Sequence, residues 1–262
     1  MFRSLEGQVS FGYSSFSMTN DPARPLIVCL PGALLDASQF EPQVGRLPGI
    51  EVLGLDYWEQ VRRMADKRFA VDHAALAVVD RIAQEPVGRT VALCGHSLGG
   101  MVAQAAAVEL GTRLSGLVLL ETSYGPATSG MARLTVPLLA ASLGLTPWAL
   151  LRIAIIRQHG AQNERAEAYL RRCLPSHPLS GWQQVVRAAL EWEGREALSA
   201  IEVPTSILVG EHHRQTHDQA RTMTTMIPKS QLQIVPGAGH MVNLDAPGVV
   251  ASAFARAVAP CS

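Results

Sequence analysis

Charge is scarce in this chain and balanced between the two signs. Of its 262 residues 22 are basic and 22 acidic, and charged side chains make up only 17%. With no net charge and no run of Lys or Arg, nucleic acid and anionic membrane surfaces are not the expected partners. Met1 to Ser10 lacks a cationic stretch followed by an apolar core, so no secretory signal is expected. Long apolar runs are missing as well. A stretch such as Thr135 to Leu145 is too short and too interrupted to span a bilayer, and no membrane partner is expected. Cysteine is sparse: Cys29 and Cys94 fall in strand-like runs, Cys173 ends a helical run and Cys261 lies in the tail. That scatter argues against a disulfide framework and fits thiols of a reducing, cytoplasmic compartment. Internal repeats and low-complexity segments are absent. The chain is instead rich in apolar residues, 48% by count, enough for one large α/β domain or one domain with an insertion.

The most informative stretch is Val91-Ala92-Leu93-Cys94-Gly95-His96-Ser97-Leu98-Gly99-Gly100. An apolar strand runs into a G-x-S-x-G pentapeptide, and an alanine-rich helical run, Met101 to Leu110, follows at once. A serine hydroxyl is a poor nucleophile and must be held exposed, beside a base and beside amide donors. A tight strand-to-helix turn does this, with Gly95 and Gly99 keeping side chains out of the crowded turn around Ser97. The following helix then aims its free N–H groups at the oxygen that becomes negative. Gly237-Ala238-Gly239-His240 follows the last strand-like run, where a histidine reaches a serine at the end of a central strand. His240 is thus the candidate general base for the Ser97 proton.

Around these motifs short strand-like runs alternate with helical ones, which predicts a mostly parallel sheet with helices on both faces. The runs are Leu26 to Leu30, Ile50 to Leu55, Thr90 to Cys94, Leu114 to Leu120, Thr205 to Val209 and Gln231 to Val235. Gln8 to Ser17 reads as opening antiparallel strands, which brings the expected sheet to eight. Helices are expected over Asp72 to Gln84 and Val249 to Val258. Between Tyr124 and Ala200 the strand rhythm stops. Amphipathic stretches at Met131 to Leu143, Pro147 to Gln158, Asn163 to Cys173 and Gly181 to Trp192 predict a helical lid inserted into the core. The expected organisation is a core of residues 1–123 and 201–262 with a cap of residues 124–200.

Leu30-Pro31-Gly32-Ala33, Gly95-His96-Ser97-Leu98-Gly99, the helical insertion, Ile207-Leu208-Val209-Gly210-Glu211 and Gly237-Ala238-Gly239-His240 together resemble an α/β-hydrolase fold enzyme over nearly the whole chain. Leu30-Pro31-Gly32 with Asp36 and Phe40 resembles a bacterial esterase-like subgroup that carries Pro-Gly where most members have His-Gly. The resemblance implies a serine hydrolase without cofactor that cleaves an ester, thioester or lactone through an acyl-enzyme on Ser97. It implies an oxyanion hole from the backbone N–H groups of Ala33 and Leu98. An apolar lid points to a small or medium, largely apolar small-molecule substrate. Serine at position 97, where dehalogenases and epoxide hydrolases carry aspartate, argues against those two reactions.

The chain departs from the family pattern at the third triad member. Beyond the glycine ending the penultimate strand it reads Gly210-Glu211-His212-His213-Arg214, with His213 where an aspartate is usual. A histidine cannot orient and stabilise an imidazolium as a carboxylate does. Glu121, ending the strand Leu117 to Leu120, is the first choice of replacement; Glu211 is the alternative, with Asp218 or a Ser-His dyad behind them. His213 and His217 have i,i+4 spacing, but no recognised ligand pattern accompanies them and no metal is expected. Asp56, before Tyr57 and Trp58, reads as a turn cap. Trp148, Trp182 and Trp192 read as core of the lid, whose inner face, with Met131, Leu138 and Leu139, is apolar. Two rival readings share the fold: a binding protein without turnover, and a cofactor-free oxygenase or lyase. Oligomeric state leaves no sign in the sequence.

Overall fold

The computed structural model describes residues 12–15, 21–56, 69–126, 147–160, 162–174 and 179–259. Among them seven strands form one sheet: β1 (Gly12–Ser15), β2 (Leu26–Leu30), β3 (Glu51–Asp56), β4 (Val91–His96), β5 (Gly116–Leu120), β6 (Thr205–Gly210) and β7 (Ser230–Val235). Their order is β1-β3-β2-β4-β5-β6-β7. β1 runs antiparallel to β3 and every other pairing is parallel. Of the antiparallel opening expected over Gln8 to Ser17, Gly12–Ser15 is the described part. The mostly parallel α/β sheet is as the sequence rhythm implies; seven strands are seen against the eight expected.

Central strands are continuous apolar runs because both faces are covered. In β2 every residue is buried, and alternate side chains serve two cores. Leu26, Val28 and Leu30 join Leu93, Leu117 and Ile207 in one cluster, while Ile27 and Cys29 join Cys94, Val118 and Phe254 in the other. Helices in chain order are α1 (Glu41–Val44), α2 (Val71–Ala83), α3 (Leu98–Leu110), α4 (Trp148–His159), α5 (Glu164–Cys173), α6 (Leu179–Glu191), α7 (His217–Met226), α8 (Val242–Asp245) and α9 (Pro247–Ala257). α2 and α3 bury alanine and valine faces in the first cluster. α9 buries Val250, Ala253 and Phe254 in the second, with the Phe254 ring 6.4 Å from that of Phe40. Among the described residues no helix is long and apolar enough to cross a membrane, and Cys29, Cys94 and Cys173 are buried outside any disulfide.

α4, α5 and α6 lie between β5 and β6, within a residue or two of the helical stretches expected there. Asn163 caps α5 by accepting a hydrogen bond from the Ala166 N–H at 2.8 Å. The expected helix over Met131 to Leu143 lies outside the described residues, as do Tyr57, Trp58 and Cys261. At the amino end of the sheet, Arg89 joins Glu51 and Glu85, at 2.6 Å each, in a buried ion-pair network.

Candidate active site

Parallel strands all point one way, so the loops leaving β2, β4, β5, β6 and β7 gather at a single edge of the sheet, where ligands of open α/β sheets bind. Among the described residues three non-glycines have positive φ: Leu34 (60°), Ser97 (52°) and Glu121 (47°). They follow β2, β4 and β5, adjacent central strands. Such conformations cost about 1–3 kcal/mol each and persist only where the surroundings enforce them, typically at functional sites.

Ser97 has φ 52° and ψ −119° and caps α3. Its N–H donates to the Leu120 carbonyl (2.9 Å), and its carbonyl accepts from the Thr122 hydroxyl (2.7 Å). The motif glycines are demanded by packing: a Cβ on Gly95 would fall 2.2 Å from the Gly99 carbonyl oxygen, and one on Gly99 would fall 2.4 Å from that of Leu30. The serine turn therefore lies directly against the end of β2. Ala33 is half-buried in the loop beyond it, and Leu98 is buried at the start of α3.

Ser97 and His240 line one cavity of about 400 Å³, within the usual range for small-molecule sites. Its walls are otherwise mostly apolar: Ala33, Leu34 and Leu35 from the core side, Leu151, Ile155, Leu170, Leu174 and Trp182 from α4, α5, α6 and the residue after α5, and Met241 beside His240. Trp182, read from sequence as lid core, thus faces the cavity, although its ring also lies 6.4 Å from that of Trp148. Trp192 instead donates from its indole nitrogen to Asp72 at 3.0 Å.

Of the three carboxylates weighed for the acid, Glu121 is the one set against His240. Its Oε2 lies 3.8 Å from His240 Nδ1 and accepts from the Thr216 hydroxyl at 2.8 Å. His213 Nδ1 donates to the same oxygen at 2.7 Å, and the Gly210 N–H donates to Oε1. Burial pushes the Glu121 carboxyl up, but the hydrogen bond from His213, reinforced by the nearby His240, outweighs it and holds it at about 2. Glu211 is exposed and accepts from the Gly237 N–H at 3.0 Å; Asp218 is exposed and pairs with Arg221 at 3.0 Å.

Four histidines crowd the site. His96 Nε2 donates to the His240 carbonyl at 2.8 Å, and burial, reinforced by nearby His240, takes its pKa down to about 3. The ring of His159, the last residue of α4, lies tilted 4.4 Å from the His240 ring, and burial with the neighbouring imidazoles takes its pKa to about 2. His240 is lowered by burial too, with Glu121 opposing. The site therefore holds neutral His96, His159 and His240 beside an ionised Glu121 at neutral pH. His217, paired with His213 by spacing, instead donates to the Gly210 carbonyl at 2.9 Å; among the described residues the grouping that could hold a metal is His159, His213 and His240. No local pattern announced His159, because a histidine before Gly160 at a helix end resembles any helix C-terminus.

Residues 27–253 match the model of the Alpha/beta hydrolase family. The chain belongs to that family. No curated protein sequence matches it significantly. Among solved structures it is similar to MenH from S. aureus (18% identity, 93% of this chain and 96% of that one, TM-score 0.79). It is also similar to an enol-lactonase from Burkholderia xenovorans LB400 (18%, 94% and 95%, TM-score 0.75) and a thermophilic esterase from Thermogutta terrifontis (21%, 94% and 91%, TM-score 0.75). At these identities the likeness carries the α/β-hydrolase fold to this chain and no substrate.

Proposed function

We propose that this member of the alpha/beta hydrolase family is a serine hydrolase that cleaves an ester, thioester or lactone of a small to medium, largely apolar molecule. The observation that carries the reading is the strained Ser97 turn, opening with His240 into one apolar cavity. Ser97 Oγ attacks the acyl carbon while His240 takes its proton and passes it to the leaving group. Water, activated by the same imidazole, then releases the acid and frees Ser97. The N–H groups of Ala33 and Leu98 receive the oxyanion; the contact between the Ser97 turn and the end of β2 supports that pairing.

Glu121 supplies the third member of the triad, a carboxylate. Its 3.8 Å separation from His240 Nδ1 exceeds a hydrogen bond by roughly 1 Å, and catalytic contacts often tighten only once substrate is bound. Residues 124–200 act as a cap that shapes the acyl pocket, and Leu151, Ile155 and Trp182 favour an apolar acyl group. Of the structural neighbours, one is an esterase and another an enol-lactonase, both within the proposed class of reaction. Labelling by a fluorophosphonate, lost in Ser97→Ala, together with a burst on a p-nitrophenyl ester, tests the reading. Unlabelled Ser97 in folded protein, or turnover surviving in Ser97→Ala, sinks it in favour of the binding-protein or oxygenase alternatives.

A further inference from the structure

We propose that His159, His213 and His240 form a binding site for a zinc-type divalent cation, whose occupancy ties α4 to the sheet edge and withdraws His240 from Ser97. Each ring offers a ligand atom within 4.8 Å of the other two, and the ring centroids are 4.4, 4.6 and 5.8 Å apart. Nitrogens bound at ~2.1 Å to a tetrahedral zinc lie ~3.4 Å from each other, so side-chain movements of about 1 Å close the set. Three imidazoles suit Zn²⁺, Co²⁺, Ni²⁺ or Cu²⁺ and not Mg²⁺ or Ca²⁺, which prefer oxygen.

Two further observations point the same way. Among the described residues, buried His159 Nδ1 has no hydrogen-bond partner, a condition that normally has a specific cause. His213 donates from Nδ1 to the Glu121 carboxylate at 2.7 Å, the second-layer contact that fixes the tautomer of a metal-binding imidazole and leaves its other nitrogen free. Entry is provided by the cavity, which both His159 and His240 line. His159 ends α4, whereas His213 and His240 sit on the loops after β6 and β7. A bound ion would therefore bridge the insertion and the carboxyl edge of the sheet. The effect is inhibitory, because a lone pair given to the metal cannot receive the serine proton. That inhibitory half rests on His240 being the general base; the binding half does not.

Cobalt is the probe, since tetrahedral Co²⁺ absorbs in the visible. Titrating the full-length protein with Co²⁺ should give a saturating visible band at one equivalent, displaced by Zn²⁺ and abolished by a chelator. Ser97→Ala should bind Co²⁺ as the parent does. His159→Gln and His213→Gln should each weaken binding at least ~10-fold, while circular dichroism checks that each is folded. Absence of a stoichiometric band in the parent, or unchanged affinity in both folded variants, overturns the site. In the parent, Zn²⁺ should stop ester turnover with the midpoint seen in binding. Stoichiometric binding with turnover untouched would leave the metal site standing and overturn the role of His240 as base.

Discussion

The residue that most repays attention is Glu121. It leaves β5 with φ 47°, buries its carboxylate, and gathers hydrogen bonds from Gly210, His213 and Thr216 while facing His240. In the proposed mechanism the charge enters from β5, and His213, standing where an aspartate is usual, packs against it. Removing the acid of a serine triad costs up to about 10⁴ in turnover. Glu121→Gln should approach that loss in kcat on an activated ester, while Glu211→Gln and Asp218→Asn, exposed and engaged elsewhere, stay near the parent. His213→Asp in the wild-type background sets a second carboxylate against Glu121 and should lower activity. The same change in Glu121→Gln should recover part of it. Steady-state kinetics on the five variants checks the set, and a crippled Glu211→Gln would move the acid to that loop. Glu121 was within reach of sequence reasoning because its place in chain order marks a strand end. The convergence of His213 and His240 toward one oxygen was not, since it depends on side-chain directions set by three separate loops.

At the scale of elements, the contact to watch is the one between α5 and the loop after β2. The Tyr169 hydroxyl accepts from the Asp36 N–H at 3.0 Å and donates to its carbonyl at 2.9 Å. Cys173, one turn on, reaches the Leu34 carbonyl at 3.3 Å. α5 therefore grips the segment that holds Leu34 at positive φ and carries the Ala33 N–H. Tyr169→Phe keeps the buried ring and deletes both hydroxyl bonds, a stability change of about 1–3 kcal/mol. It should also lower kcat by roughly 10- to 100-fold, as small misplacements of a catalytic group do. A lower melting temperature with kcat unchanged would show that the tether is merely structural. The helices of this region were legible from their amphipathic spacing, and the strands from their apolar runs. What they touch was not. Tyr169 and Asp36 are 133 residues apart, and nothing in either local pattern selects the other.

For the whole molecule, the crowd of neutral imidazoles ties stability to pH. His96 and His159 have pKa values near 3 and 2 in the fold against about 6.5 in an unfolded chain. Between those limits the unfolded state binds more protons, so stability falls as pH drops below about 6.5. Glu121, at about 2 in the fold, adds its own loss as pH falls from about 4.5 toward 2. Urea midpoints should therefore decrease from pH 7 to pH 5, and the decrease should be smaller in His159→Gln. An equal decrease in that variant would show that His159 is not held neutral. The acid limb of kcat/KM should likewise lie below pH 6.5, since burial lowers His240. The sheet and its edge of loops were visible in the alternation of strand and helix patterns. The proton economy was not, because it arises from histidines at positions 96, 159 and 240 that converge only in three dimensions.

The three positive-φ residues have a consequence for how the molecule fails. At about 1–3 kcal/mol each, Leu34, Ser97 and Glu121 together hold roughly 3–9 kcal/mol, comparable to the entire net stability of an ordinary domain. Relaxing them requires no loss of the sheet, whose opposite end is fastened by Arg89, Glu51 and Glu85. Mild denaturant should therefore silence turnover before far-ultraviolet circular dichroism reports any melting. Coincident midpoints for the two signals would mean that the sheet edge and the sheet come apart as one cooperative unit.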